Sequence, residues 1–375
     1  MTKISVGLST NLLEPEYVKL GLDGIGIYTS VLLDGLPKHG CEVQPWSYPV
    51  ASPNKRVAVG KPLPAAHKFT LLRDVAMPLW RTRLPVDIFH ATDYRINRMS
   101  CPVVATLHDA IPMKFPEWYG GTMRKVKNHF LRKTAGFADH VIALSHYSIT
   151  ELVECFGVDE KRISVVHCGV ASQWLQPLPV EQVETAMAKH GLRPGYFLFV
   201  GTLQPRKNVE RILDAYLKLP AEIRKERQLV IVGRAGWRCD DVLARLKGAK
   251  EADENVIWLN YVSGEAALRQ IYAGAGVFVF PSLHEGFGIP VVEAFASGVP
   301  VVTSNTTSLP EVSLGAALEV NPLSVSEIGT AMQDLVTDDA LRQRCIAAGK
   351  ERAAQLTWRQ TVEKTAEVYR AVLGR

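Results

Sequence analysis

The stretch from Gly276 to Gly298, GVFVFPSLHEGFGIPVVEAFASG, concentrates residue types that could do chemistry: Glu285, then Gly286 and Gly288 around Phe287, then Glu293. Two positions without a Cβ let backbone amides come close to a ligand. Pro290 suits the first turn of a helix, where its missing N–H is an orphan anyway, and Gly298 is a natural stop. The pattern predicts a buried strand at Val277 to Phe280, a loop, and a helix N-terminus that forms an anion site. Two carboxylates beside an anion are unfavourable unless they hold something else, and sugar or ribose hydroxyls donate well to carboxylates. The same spacing also fits a plainer arrangement, with Glu293 complementing the helix dipole and Glu285 in a solvated loop.

A second anion signal lies upstream. The strand pattern Tyr196 to Val200 runs into GTLQPRKNVERIL, which places Arg206 and Lys207 between a βα loop and a helix beginning near Asn208. Arg offers a bidentate fork to phosphate oxygens and Lys a point charge, so the pair suits a diphosphate clamp; elsewhere such a pair is commonly a solvated face.

The elements that must position these residues alternate along the chain. Strand patterns at Lys3 to Leu8, Glu42 to Trp46, Asp87 to Thr92, Pro102 to Leu107, Val141 to Leu144 and Ser164 to His167 are separated by helical ones. After Tyr196 to Val200 the series continues at Leu229 to Gly233, Val256 to Leu259, Val277 to Phe280, Val299 to Thr303 and Ala317 to Val320. Such alternation predicts βαβ units and parallel sheets. The proline-marked stretch Ala171 to Pro194 reads as a linker, giving an N-terminal domain over 1–177 and a C-terminal one over 178–356. A last helical pattern, Thr357 to Leu373, has no strand to follow it and is expected to pack back toward the first domain. Two such domains would leave a cleft, with ligands beyond the carboxyl ends of the strands.

Taken together, Glu285 and Glu293 with Gly286-Phe287-Gly288 between them, Arg206-Lys207-Asn208, the early Asp23-Gly24-Ile25-Gly26, His108-Asp109, Ala143-Leu144-Ser145 and Val200-Gly201-Thr202 resemble the retaining glycosyltransferases of family 4. The resemblance covers nearly the whole chain and implies two facing Rossmann-like domains, the GT-B fold. It implies that Glu285 holds donor-sugar hydroxyls, Glu293 the nucleotide ribose, and Arg206 and Lys207 the diphosphate, helped by amides near Phe287 and Gly288. Gly233, Arg234 and Tyr261 would line the nucleotide side. His108, with Asp109 beside it, would approach the sugar, and Gly24 and Gly26 would bring the first loop near diphosphate and acceptor. Two residues depart from the pattern: Ile27 stands where many relatives have Arg, and Asn260 where Gly is common.

Within the family the closest likeness is to bacterial mannosyltransferases of O-antigen or exopolysaccharide synthesis. This implies GDP-mannose as donor, with GDP-rhamnose or a UDP-sugar as alternatives, and a glycan or lipid-linked acceptor. It also implies a retaining reaction with no cofactor and no metal; Asp240-Asp241 and Asp338-Asp339 read as surface charges. A non-catalytic sugar-nucleotide sensor is the rival from another class.

Composition is that of a globular protein. The chain has 375 residues, enough for two cores, with 47% apolar and 22% charged residues, which excludes disordered and disulfide-scaffold classes. No spanning segment or signal peptide is read, so a cytoplasmic protein is expected. The six cysteines are scattered, without a Cys-x-x-Cys pair, and read as small buried residues. Gly21-x-x-Gly24-x-Gly26 is not the dinucleotide fingerprint, and the modest charge disfavours nucleic acid. The net charge of +5 lies wholly before Pro177. There Arg124, Lys125, Lys127, Arg132 and Lys133 interleave with Met123, Val126, Phe130 and Leu131, while Arg73, Arg81 and Arg83 surround Leu71, Leu72 and Trp80. Basic amphipathic segments suit an anionic membrane surface, where a lipid-linked acceptor would be presented; core-facing apolar residues with solvated charges are the alternative.

Overall fold

A computed structural model describes residues 3–18, 22–49, 58–64, 70–118 and 123–375. Gly21 and the side chain of Leu71 lie outside the described residues. The chain divides into two compact units. The first comprises the described residues of Met1–Pro116, Gly121–Cys168 and Trp358–Arg375; the second comprises those of Glu117–Gly120 and Gly169–Thr357.

The first unit is built on a seven-stranded sheet of β1 (Ile4–Ser9), β2 (Cys41–Ser47), β3 (Lys61–Pro62), β4 (Ile88–Ala91), β5 (Val103–Leu107), β6 (His140–Ala143) and β7 (Ile163–Val165), in the order β3-β2-β1-β4-β5-β6-β7. All its pairings are parallel; Ile4 lies opposite Cys41, and Val6 opposite Ile88. The second unit carries β8 (Tyr196–Val200), β9 (Leu229–Val232), β10 (Val256–Leu259), β11 (Ala275–Phe280), β12 (Val301–Ser304) and β13 (Leu318–Val320), again all parallel, in the order β10-β9-β8-β11-β12-β13. Helices cover such sheets on both faces, so their central strands are buried and mostly apolar. Accordingly β4, β5, β8 and β9 are buried at every residue. In each sheet the strand order reverses once, at β1/β4 and at β8/β11, and these switch points are where open α/β sheets bind ligands.

Two expectations need correction. Ala171 to Pro194 is no free linker: the chain passes into the second unit after Cys168, Trp174 is buried, and the helix Val180–Lys189 packs on the helix Glu265–Gly274. The cysteines are free, but Cys101 and Cys155 are only half-buried.

The helix Trp358–Leu373 belongs to the first unit and packs on the helix Gly24–Gly35. A buried polar chain fastens it. The Tyr369 hydroxyl lies 2.6 Å from His90 Nδ1, His90 Nε2 lies 2.8 Å from Thr106 Oγ1, and Thr106 Oγ1 lies 2.9 Å from the Tyr28 hydroxyl. Burial, reinforced by the nearby His108, pushes His90 down to about 3, so its imidazole is neutral and donates at one nitrogen while accepting at the other. The unfolded chain takes up that proton near pH 6.5, so His90 makes the first unit lose stability as pH falls from about 6.5 toward 3. Tyr369→Phe leaves a buried ring nitrogen without its partner. Urea unfolding should show about 1–3 kcal/mol of destabilisation, and an unchanged midpoint would mean the chain does not fasten the helix.

Candidate active site

At the β8/β11 switch point two loops are tied together before any ligand arrives. After β8 the segment Pro205–Lys207 makes one 3-10 turn, and Asn208 follows at φ 61°. The Asn208 side-chain amide donates to Pro281 O at 2.8 Å and Pro322 O at 2.7 Å, and Leu283 N donates to Arg206 O at 2.7 Å. Hydroxyls from beyond β11 hold the other loop: Ser304 Oγ donates to Ser282 O at 2.6 Å, and Ser308 Oγ lies 2.9 Å from Glu285 O and 3.0 Å from Phe287 O. The helix expected near Asn208 begins at Val209, after Pro205 and the left-handed Asn208 close a separate turn. Arg206 and Lys207 are thus carried on a tight turn.

That turn brings both cations to one carboxylate. Lys207 Nζ donates to Glu285 Oε1 at 2.6 Å and Arg206 Nη1 to Glu285 Oε2 at 2.7 Å, while Lys207 also lies over the Phe280 ring, 4.6 Å from its centroid. Side-chain exposures are 9% for Lys207 and 8% for Glu285, so this is a buried ion pair. Burial alone would raise the Glu285 carboxyl, but Arg206 and Lys207 overcome it and hold the group at about 2. Taken by themselves, Arg206, Lys207 and Glu285 carry one net positive charge. The alternative of a solvated Glu285 is therefore excluded.

Beside it, Gly288 at φ 113° caps the helix Ile289–Ala296, whose second residue is Pro290. The helix begins at Ile289, so Glu293 sits in its second turn, beyond the N-terminal dipole expected for it. Its carboxylate Oε2 lies 3.0 Å from the Tyr272 hydroxyl. Burial pushes Glu293 up to about 7; the Tyr272 hydrogen bond opposes this and Glu265 adds to it. No hydrogen bond joins Glu293 to Glu285 among the described residues.

Gly233 ends β9 at φ 147°, where a Cβ would come within 1.9 Å of Gly201 O, so the β8 and β9 ends touch through glycine backbone. Trp258 Nε1 donates to Gly233 O at 2.9 Å and floors that side. Arg234 takes part through its carbonyl, which accepts from Leu203 N at 2.8 Å, and Tyr261 is exposed past the end of β10. The structure therefore brings Arg206, Lys207 and Glu285 together, with Gly286, Phe287, Gly288 and Glu293 on the adjoining loop and helix; Arg234 and Tyr261 make no side-chain bond to them among the described residues. Sequence reading missed Tyr272, Trp258 and Ser308.

The remaining candidates lie in the first unit. His108 is buried, its Nε2 3.0 Å from Thr92 O and its ring edge-on to Tyr28 at 5.2 Å; burial lowers its pKa, against the Thr92 carbonyl and the carboxylates of Asp109, Asp23 and Asp93. Asp109 Oδ1 accepts from the Tyr94 hydroxyl at 2.8 Å and from Ile111 N at 3.0 Å, so it shapes the turn after β5. Gly24 and Gly26 open the helix Gly24–Gly35, with Asp23 accepting from Gly26 N at 2.8 Å. Among the described residues, no group of three or more His, Cys, Asp or Glu could hold a metal ion, and no helix is long and apolar enough to cross a membrane.

Two parallel-sheet α/β units, each with one reversal of strand order, are the architecture of the GT-B fold class. Residues 22–174 match the family described as Glycosyltransferase Family 4 and residues 182–352 the Glycosyl transferases group 1. O-antigen chain mannosyltransferase B of Escherichia coli is 32% identical over 76% of this chain and 74% of its own length. The chain belongs to this glycosyltransferase family. It is also 28% identical to a serotype-specific mannosyltransferase WbdA of Escherichia coli over 76% of this chain, but spans only 36% of that longer protein. A solved sucrose-phosphate synthase from Thermosynechococcus elongatus shares the fold at TM-score 0.75 and 20% identity, covering 99% of this chain and 100% of that one.

Glu285→Gln strips the buried Lys207 of its counter-charge. Chemical denaturation should show a loss of about 3–5 kcal/mol, and a loss under 1 kcal/mol would mean the pair is not buried in solution. Glu293, raised above its unfolded value, contributes stability that is full below about pH 4.5 and is lost as pH rises through 7. Glu293→Gln should therefore gain on the wild type between pH 5 and pH 8, as thermal unfolding at the two pH values would show; a constant difference would contradict the shift.

Proposed function

We propose that the chain is a retaining mannosyltransferase that moves mannose from GDP-mannose to a hydroxyl of a glycan or lipid-linked acceptor in O-antigen or exopolysaccharide synthesis. The observation that carries the reading is the net-positive Arg206–Lys207–Glu285 cluster at the β8/β11 switch point. Arg206 and Lys207 bind the donor diphosphate, helped by amides near Phe287 and Gly288 at the helix start. A phosphate arriving there competes with Glu285 for both cations and frees its oxygens for donor-sugar hydroxyls. Glu293 holds the ribose, and Gly233, Arg234 and Tyr261 border the nucleotide. In the first unit His108 and Asp109 serve the sugar or acceptor side, with Gly24 and Gly26 near the diphosphate.

The reaction breaks the bond from the mannose anomeric carbon to the diphosphate and forms one from that carbon to the acceptor oxygen on the same face. The acceptor's proton passes to an oxygen of the departing diphosphate. Negative charge grows on that leaving group, where Arg206, Lys207 and the helix-terminal amides are fixed in advance. These groups supply the stabilisation without a metal or cofactor. Support for mannose comes from the E. coli O-antigen mannosyltransferase. A UDP-sugar donor is the second reading, because an Anabaena HepE structure of similar fold, TM-score 0.75 at 16% identity over 98% of this chain and all of that one, holds UDP-glucose.

The enzyme would work peripherally at the cytoplasmic face of an anionic membrane. In support, Leu79 is 97% exposed beside exposed Leu72, Met77 and Trp80, with Arg81 and Arg83 exposed next to them. Met123 and Val126 are likewise exposed among the cations of the helix Arg124–Ala135. Co-sedimentation with vesicles containing anionic lipid should be strong at low salt and fall at high salt; no binding at low salt contradicts it.

Donor identity is tested by thermal shift with GDP-mannose, UDP-glucose and ADP-glucose, followed by turnover. GDP-mannose should give the largest concentration-dependent rise. A folded Glu285→Ala variant should lose about 100-fold or more in rate. A shift with UDP-glucose alone would overturn the donor, and a folded wild type with no turnover on any glycan would favour a sensor.

A further inference from the structure

The first sheet has a switch point of its own, and it holds a cation that the proposed chemistry does not use. Arg95 follows β4 at the β1/β4 reversal. Its guanidinium lies between two tyrosines, 5.4 Å from the Tyr17 ring centroid and 5.9 Å from that of Tyr48. Each ring is fixed. Tyr48 donates its hydroxyl to Asn97 Oδ1 at 2.6 Å, and its backbone N donates to Asn11 Oδ1 at 2.8 Å; Tyr17 accepts from Arg95 Nη2 at 3.0 Å. That is the single hydrogen bond of the guanidinium among the described residues, so most of its five N–H donors are unspent.

Nor does a carboxylate neutralise it directly. Asp93 is the acid nearest in sequence, but its oxygens accept from the Arg95 backbone N at 2.8 Å and from Asn11 Nδ2 at 3.2 Å, and no carboxylate oxygen lies within 4.0 Å of the guanidinium among the described residues. Burial disfavours the charge, but the nearby Asp93 and the Tyr17 hydrogen bond outweigh it and keep the group charged. A partly buried, stacked guanidinium with an open fork is the geometry that receives an oxyanion bidentately.

We infer that Arg95, held between Tyr17 and Tyr48, binds a phosphate of the acceptor. This rests on the reading that the first unit takes the acceptor, and it names the group by which a phosphorylated acceptor is recognised. Tyr17, half exposed, also offers a ring face to the neighbouring apolar or sugar portion.

The test is calorimetric binding of farnesyl diphosphate, inorganic pyrophosphate and farnesol to the full chain with GDP present at saturation, so that Arg206 and Lys207 are occupied. Wild type should bind farnesyl diphosphate, and Arg95→Ala should weaken it about 10- to 100-fold, the loss of a charge-assisted hydrogen-bonded pair. Arg95→Lys, which keeps the charge and loses the fork, should fall between and guards against misfolding of the Ala variant. GDP affinity should be the same in all three. Comparable binding of pyrophosphate would assign the site to free phosphate and overturn the acceptor role. Equal farnesyl diphosphate binding in wild type and both variants, or farnesol binding as well as the diphosphate, would overturn the inference. Arg95-dependent binding without mannose transfer would instead remove the functional reading and leave the anion site standing.

Discussion

The second unit depends on one buried carboxylate. Glu285 sits on the loop after β11, and Lys207 and Arg206 reach it from the loop after β8, across the β8/β11 switch point. Without them, desolvation would favour a protonated acid; with them, the group is ionised and the two loops are cross-linked by charge as well as by Asn208. A buried pair of this kind adds little net stability over an apolar alternative. Its worth here is positional: it holds two cations where parallel strands end.

The two units solve the same problem with different emphasis. Each is a parallel sheet with mostly apolar, buried interior strands, and such sheets take ligands beyond the strand ends. The second unit gathers charge there. The first buries neutral and aromatic groups: His90, Thr106, Tyr28 and Tyr369 form one hydrogen-bonded chain below the strand ends, and the His108 ring meets the same Tyr28 edge-on. His108 is held in position by the chain that fastens the last helix, which couples that helix to a candidate sugar-facing group.

Much of this was legible in the residues because parallel strands announce themselves as short apolar runs. Tyr196–Val200 and Val256–Leu259 fall where the pattern placed them, and most other boundaries differ by a residue or two. The edge strand Lys61–Pro62 was not legible, being two residues long, polar and proline-bearing. Residue types around Glu285 and Arg206 pointed to phosphate and hydroxyl chemistry, yet their direct pairing could not be read, since nothing local links positions so far apart in the chain. The same holds for Tyr272, which looks like an ordinary core aromatic in its own helix and matters only because Glu293 lies against it. Ala171 to Pro194 misled through its prolines: Trp174 and the helix behind it are packed into the second unit.

The account stands on the claim that Lys207 and Arg206 are kept for a diphosphate. Calorimetric affinity for GDP and for guanosine, compared between wild type and Lys207→Met, tests it most directly. The account predicts that GDP affinity falls about tenfold or more while guanosine affinity stays the same. Unchanged GDP affinity in a folded Lys207→Met protein would contradict it.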